Sequence, residues 1–331
     1  MTESAAPPAP PVGADKYRRP YVDLLKVVLA VMVIGIHSPL LTDILPGGWT
    51  LLNQGLYRIA VPTFFCLSAY FLSDSLASGG GWRWARRILL LYVLWMTVYL
   101  PIWAEDVLHA DAPLRALFKT LLFGYWHLWY LVSLAIGIPL LALLHRLPSR
   151  SLTLIAVTLC LIGTALEYGT ELFDHPLAGK FEYWRNTLFD ALPFLILGHL
   201  LRRHDLPRIA GPRRTLAVLL LGLALLLAEV IFARFTLGLT NAADLRLSLV
   251  VAAPALACLS LALPATDQAR ALIPRQTGRF ANGLYFLHVG SLHIVARSLP
   301  LEGTAATLAI ITLTALLTVL MLRIPLARRL L

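Results

Sequence analysis

His37 and Lys26 stand eleven residues apart inside one apolar run, residues 22–41. At about 100° per residue, eleven steps bring a helix back to within roughly 20° of its start. Both side chains then share one face about 16 Å apart. An imidazole can take a proton from a hydroxyl near neutral pH, and a lysine ammonium can hold an anion such as a phosphate. A charge at the centre of a membrane helix costs on the order of 3 kcal/mol, so such groups line a protein interior or a watery cavity. The competing reading is a histidine bonded for packing and a lysine that snorkels to the interface.

Other groups along the chain add to this pair. Arg83, Arg86 and Arg87 follow the run Gly79, Gly80, Gly81, in what reads as a short loop between the second and third apolar stretches. Guanidinium forks suit phosphate, although loops on the cytoplasmic side are rich in arginine in any membrane protein. The second stretch holds Pro62, Phe64, Phe65 and Ser68. There Pro62 frees a carbonyl and Ser68 adds a hydroxyl, as in helices that line a cavity. No His-Asp pair is readable around Ser68, so it reads as a packing hydroxyl rather than a nucleophile. Segment 125–130, with His127, Trp129 and Tyr130, is either an interfacial aromatic belt or a set of ring faces on which a sugar stacks. Tyr285 and His288 are three apart and share a helix face, with His293 further on. Asp190 and Glu229 also lie inside apolar stretches, with partners the sequence does not name.

These groups are positioned by elements of one kind. The chain has 331 residues, 58% hydrophobic and 14% charged, with a mean hydropathy of +0.74, the composition of an integral membrane protein. Stretches long enough to cross a bilayer are expected at 22–41, 58–76, 86–104, 126–144, 151–167, 187–201, 213–234, 246–263, 281–299 and 303–322. The fold class is therefore all-α, a polytopic membrane protein with about ten transmembrane helices. Nineteen of the Lys and Arg residues fall on one side of that topology and eight on the other, which makes both termini cytoplasmic. The acids Glu105, Asp106, Asp111, Glu171, Asp174, Glu182 and Asp244 gather on the opposite face. The net charge of +10 thus reflects topology, and nucleic-acid binding is not expected.

Residues 1–15, rich in Ala and Pro, read as a disordered cytoplasmic tail, and residues 16–331 as a single membrane domain. Lys16, Arg18 and Arg19 before the first run resemble the layout of a signal peptide. Without a small-x-small cleavage site after it, the run reads as a retained anchor. Cys66, Cys160 and Cys258 lie in apolar stretches without metal-ligand spacing, and read as inert small hydrophobes. There is no fixed-period repeat, and no pair of broken helices in two halves.

Five motifs in order make the chain resemble the acyltransferase 3 family of integral-membrane O-acyltransferases, over about residues 17–322. They are Asp23-x-x-Lys26 with His37; Pro62 and the segment 64–71; Arg83 and Arg86; His127 to Tyr130; and Tyr285 with His288. Length and the His-Leu-Trp segment are most similar to the enterobacterial common antigen O-acetyltransferase branch. Lys26 stands where the family usually has Arg, keeping the charge without the bidentate fork. Ala69 stands where it usually has Gly, which alters how closely helices approach.

The resemblance implies an enzyme of the bacterial inner membrane that moves an acetyl group from cytoplasmic acetyl-CoA to a hydroxyl of a cell-envelope or extracellular glycan. It implies His37 as reaction centre, either as general base or as brief carrier of the acyl group. Lys26, Arg83 and Arg86, with Arg87 as helper, hold the CoA phosphates while the pantetheine arm threads toward His37. Asp23, Ser68, His127, Trp129, Tyr130, Tyr285 and His288 support the site or contact the acceptor. No metal and no resident cofactor are implied; acetyl-CoA is a co-substrate, and the partners are a glycan or lipid-linked sugar and membrane lipid. Homo-oligomerisation, the acceptor sugar and the acyl group are left open. The same residues also suit a proton-coupled transporter of a small solute, or a non-catalytic scaffold indifferent to His37.

Overall fold

The computed structural model describes residues 18–241, 243–325 and 327–331; the tail expected at residues 1–15 lies outside the described residues. Regular structure among these is entirely helical. In order come α1 (Pro20–His37), α2 (Ala60–Leu76), α3 (Gly80–Val98), α4 (Leu100–Leu108), α5 (Pro113–Phe123), α6 (Trp129–Leu144) and α7 (Ser149–Leu172). They are followed by α8 (Leu192–Arg203), α9 (Leu206–Phe235), α10 (Leu249–Ala262), α11 (Asp267–Leu272), α12 (Thr277–Ser298) and α13 (Gly303–Arg323).

Each of the ten expected stretches falls on helix, but fewer of the described helices meet the length and hydropathy of a bilayer crossing. Six helices are long and apolar enough to cross a membrane: α1, α2 with the turns before it, α6, α7, α9 and α13; the pair α3 and α4, bent by 69°, makes a seventh if taken as one span. Of the rest, α8 and α10 have 12 and 14 residues. α12 has 22, but carries Asn282, His288, Ser291 and His293 along its length. Protein rather than lipid surrounds α8 on nearly all sides, so length and hydropathy matched to a bilayer are not required of it.

Local chemistry sets the ends that matter. Pro20 occupies the first turn of α1, where its missing N–H is no loss. The helix stops at His37 because Ser38 precedes Pro39 and is driven to extended backbone, φ −148° and ψ 149°. The first apolar run therefore ends its helix four residues before Leu41. Pro62 lies in the first turn of α2, where a proline N–H has no helical partner to lose. Gly79, at φ 71°, lets α3 begin at Gly80, so Arg83, Arg86 and Arg87 stand on the first turns of a helix instead of in a loop.

Contacts between chain ends sort the bundle into two faces. Arg18 donates to the Pro274 carbonyl at 2.6 Å, Arg202 pairs with Asp74, and Ser149 meets His204 at 2.8 Å; this face holds Lys26 and Arg83. At the opposite face Ser38 bonds Thr307 at 2.7 Å, Lys119 pairs with Glu182 at 2.8 Å, and Arg297 pairs with Glu105 at 3.3 Å; this face holds His37. Asp43, on the same face, accepts from the Thr304 hydroxyl and the Thr304 backbone N–H, and these bonds, the hydroxyl's first, hold its carboxyl below the usual range.

The core runs between α2, α6, α8 and α10, with Phe65, Leu134, Ile138, Phe194 and Leu195 buried in it. Cys66, Cys160 and Cys258 are buried free thiols. Ala69 is fully buried, and α2 approaches α8 closely at Gly198, where a Cβ would overlap the backbone of Cys66. Gly198→Ala should lower stability by about 1–3 kcal/mol, since backbone cannot move aside as a side chain can. A thermal melt of the detergent-solubilised variant equal to the parent's would refute this close packing.

Candidate active site

His37 is the last residue of α1, where helix carbonyls lack helical partners. Asn53 supplies them, its Nδ2 lying 3.0 Å from the Gly35 carbonyl and 3.2 Å from that of Ile36. Arg58 in turn donates from Nε to the Asn53 carbonyl at 2.9 Å. Gly35 is needed here, because a Cβ would come within 2.7 Å of the Tyr57 ring, whose hydroxyl bonds the Leu40 carbonyl at 3.0 Å. The turn bearing His37 is thus fixed from behind. Asn53→Leu should cost about 1–3 kcal/mol by stranding those carbonyls. It should also lower turnover more than donor affinity, measurable as kcat against KM for the acyl donor; parent values for both would remove Asn53 from the positioning role.

The imidazole of His37 makes no hydrogen bond among the described residues. It stacks on His288 at 5.3 Å between centroids, tilted 27°, and meets the Trp126 ring at 5.3 Å. Trp126 has φ 47°, a left-handed backbone that a side chain of this size adopts only when its surroundings hold it there. His288 is completely buried. Its Nδ1 lies 2.7 Å from the Tyr285 carbonyl, which can only accept, so Nδ1 carries the proton and Nε2 keeps a lone pair with no partner. The His127 ring lies 4.8 Å from that of His288, and Tyr285 donates its hydroxyl to the His127 carbonyl at 2.6 Å. Among the described residues no group of three or more His, Cys, Asp or Glu is arranged to hold a metal ion.

The other wall of the cavity at His37 is charged. Arg58, Arg185, Asp190 and Asp244 line it with His37 and His127, and its volume is about 30 Å³, room for a water or two. Arg58 pairs with Asp244, and Arg185 reaches the same carboxylate at 3.5 Å. Glu167 accepts from the backbone N–H groups of Asp244 and Leu245, both at 2.8 Å, and Glu229 from those of Leu247 and Ser248 at 2.9 and 2.8 Å. This gives Glu229 its partners and locks the segment carrying Asp244. Asp190 is buried with one carboxylate oxygen unpartnered. Sequence reasoning passed over Arg58, Arg185 and Asp244 as members of this wall. The available signal was scarcity, since the acid-rich face has few cations and two of them are here.

A second cavity, of about 260 Å³, opens along the same face of α1 around Lys26, with Phe64, Ser68, Phe71 and Trp84 in its lining. The Lys26 ammonium lies 6.0 Å from the centre of the Phe71 ring. Asp23 accepts from Arg18 at 3.2 Å. Arg83 and Arg86 are exposed, and Arg87 lies over Trp84 at 5.7 Å, which ties that arginine to the cavity edge. Tyr130 and Ser68 share a hydrogen bond of 3.2 Å.

The two cavities share no lining residue, so Lys26 and His37 face separate spaces in this structure. An aromatic layer separates them: Phe64 lies 6.1 Å from Tyr285 and 6.2 Å from Tyr130, and Tyr130 lies 5.6 Å from Tyr285. Tyr285 faces the His37 cavity and Phe64 the Lys26 cavity. Tyr130, expected among the acceptor contacts, sits in this layer, whereas Trp129 lines the His37 cavity.

A family model described as an acyltransferase domain, of the acyltransferase 3 type, matches residues 19–324. Similar curated proteins are a serine/alanine racemase of Enterococcus gallinarum, 30% identical over 208 residues covering 56% of this chain and 29% of that protein, and an amino-acid racemase of Enterococcus faecalis, 28% identical over 55% of this chain and 29% of that protein. The chain spans less than a third of the length of these relatives. No solved structure matches.

Proposed function

This chain belongs to the acyltransferase 3 family, and from that premise we propose that it transfers an acetyl group from cytoplasmic acetyl-CoA to a hydroxyl of an envelope glycan. The bacterial inner membrane is its place in this reading, with Lys26 toward the cytoplasm and His37 toward the outside. The observation that carries it is the pair of cavities on one helix, with an imidazole that has no hydrogen-bond partner among the described residues in the outer one and a cation in the larger, apolar inner one.

The apolar cavity suits a pantetheine arm, and Lys26 with Arg87 at its edge suits the phosphates. Arg83, Arg86 and Arg87 crowd the positive end of the α3 dipole, a repulsion that a bound phosphate offsets. In the reaction the sugar oxygen bonds to the acetyl carbonyl carbon, the carbon–sulfur bond breaks, and the hydroxyl proton passes by way of His37 to the departing sulfur. The balance is the same if His37 first carries the acetyl group. The lone pair of His288 Nε2 stands ready to take part in shaping that proton path. The ring faces of the His127 to Tyr130 segment suit a sugar acceptor.

Sealed vesicles bearing the protein, given labelled acetyl-CoA on the cytoplasmic side, should yield an esterified glycan on the other. A transporter would instead accumulate solute without consuming thioester. Equal ester content in envelope glycans from cells with and without the gene, read by mass spectrometry, would overturn the proposal.

A further inference from the structure

Beside the His37 cavity, at the same face, lies a pocket of about 200 Å³ that neither the donor nor the proton path uses. Rings form much of it: Phe123, Tyr125, Trp126, Trp129 and Phe181. Lys119 and Glu182, paired at 2.8 Å, and Arg185 supply its polar groups. Three observations tie it to the reaction centre.

First, Trp126 is common to both, since its ring lines the pocket and lies against His37. Second, the turn that carries Trp126 is built tightly. Gly124 has φ 84°, and a Cβ there would come 2.6 Å from the Trp129 nitrogen, while the Tyr125 hydroxyl is anchored to Asp106 at 2.8 Å. Third, Trp129 and Arg185 line both spaces. The Arg185 guanidinium lies 5.4 Å from the Trp129 ring and 5.0 Å from the Phe181 ring, and its ion pair with Asp244 is 3.5 Å. It therefore stands at the partition between the two spaces, held by one ion pair and two ring faces.

Flat ring faces with donors and acceptors at the rim are the chemistry that holds a sugar ring, whose C–H faces stack while its hydroxyls bond. Charge narrows the class, because Lys119 is cancelled by Glu182, and the two guanidiniums of Arg58 and Arg185 share their cavity with two carboxyls, Asp244 and Asp190. We propose that this pocket is the acceptor subsite and holds one neutral pyranose ring, with Arg185 as the partition between that ring and His37. The assignment rests on the transferase reading for its role, but the binding it claims is measurable apart from transfer.

The test uses the full chain in nanodiscs with aryl-diazirine derivatives of a glucoside, a galactoside and an N-acetylglucosaminide, plus the matching glucuronide. After irradiation, peptide mass spectrometry should place label from at least one neutral probe on segments 119–129 and 181–185. Phe181→Ala and Lys119→Ala, each checked for a parent-like size-exclusion profile, should lower that label by about fivefold, and the glucuronide should label less well by a similar factor. Label confined to other segments, label undiminished in both variants, no label from any neutral probe, or glucuronide labelling equal to the neutral probes would each overturn the proposal. Acetyl transfer is followed in the same preparation. Pocket labelling without transfer retains the sugar site and defeats the transferase reading, whereas transfer without pocket labelling retains that reading and defeats the site.

Discussion

His37→Ala is expected to leave a folded, membrane-inserted protein whose acetyl transfer falls by about 10³-fold, within the range for loss of a positioned general base. The expectation of intact folding comes from the contacts of the side chain, which among the described residues are ring contacts with Trp126 and His288 and no hydrogen bond. The backbone of its turn is held separately by Asn53. His37→Gln is the sharper control, because it preserves size and hydrogen-bonding groups but cannot take a proton at neutral pH. Both variants should still bind acetyl-CoA near the parent affinity, since Lys26 and its cavity lie about 16 Å away along α1. Parent-like turnover in His37→Gln would remove the imidazole from the centre of the reaction.

Enlarging the side chain at Phe64 should have the second largest effect. Phe64 faces the Lys26 cavity and touches Tyr130 and Tyr285, so a donor arm reaching from Lys26 to His37 has to displace it. Phe64→Trp should reduce transfer roughly tenfold or more, by making that displacement harder in a tightly packed layer. Phe64→Ala should act in the opposite sense on selectivity. With the layer thinned, water reaches the thioester, and CoA release without acceptor should rise about fivefold. Both are read by thiol release with and without a glycan acceptor. Unchanged rates in both variants would mean that the donor takes another route.

The sequence made the helical class and the face-sharing of Lys26 and His37 legible because both follow from hydropathy and from the angular step of a helix. The arginine trio was legible as residues but misplaced as a loop, since Gly79 permits a turn that lets α3 start at once. The charged wall was not legible. Arg58, Arg185, Asp190 and Asp244 come from three segments far apart in sequence, and only packing of the turns before α2, α8 and α10 brings them to one cavity. The aromatic layer escaped for a related reason. Phe64, Tyr130 and Tyr285 each fit a helix facing lipid or core equally well, and nothing in periodicity says that rings from three helices meet.

The aromatic layer has an electrical consequence. A bilayer that stores energy as an ion gradient cannot hold a standing aqueous channel, because protons would run down the gradient through it. Three rings stand between the Lys26 and His37 cavities, and an apolar layer of this kind opposes a continuous file of water. In the proposed transfer the acetyl group carries no charge, so its passage through a momentary opening there would do no work against the membrane potential.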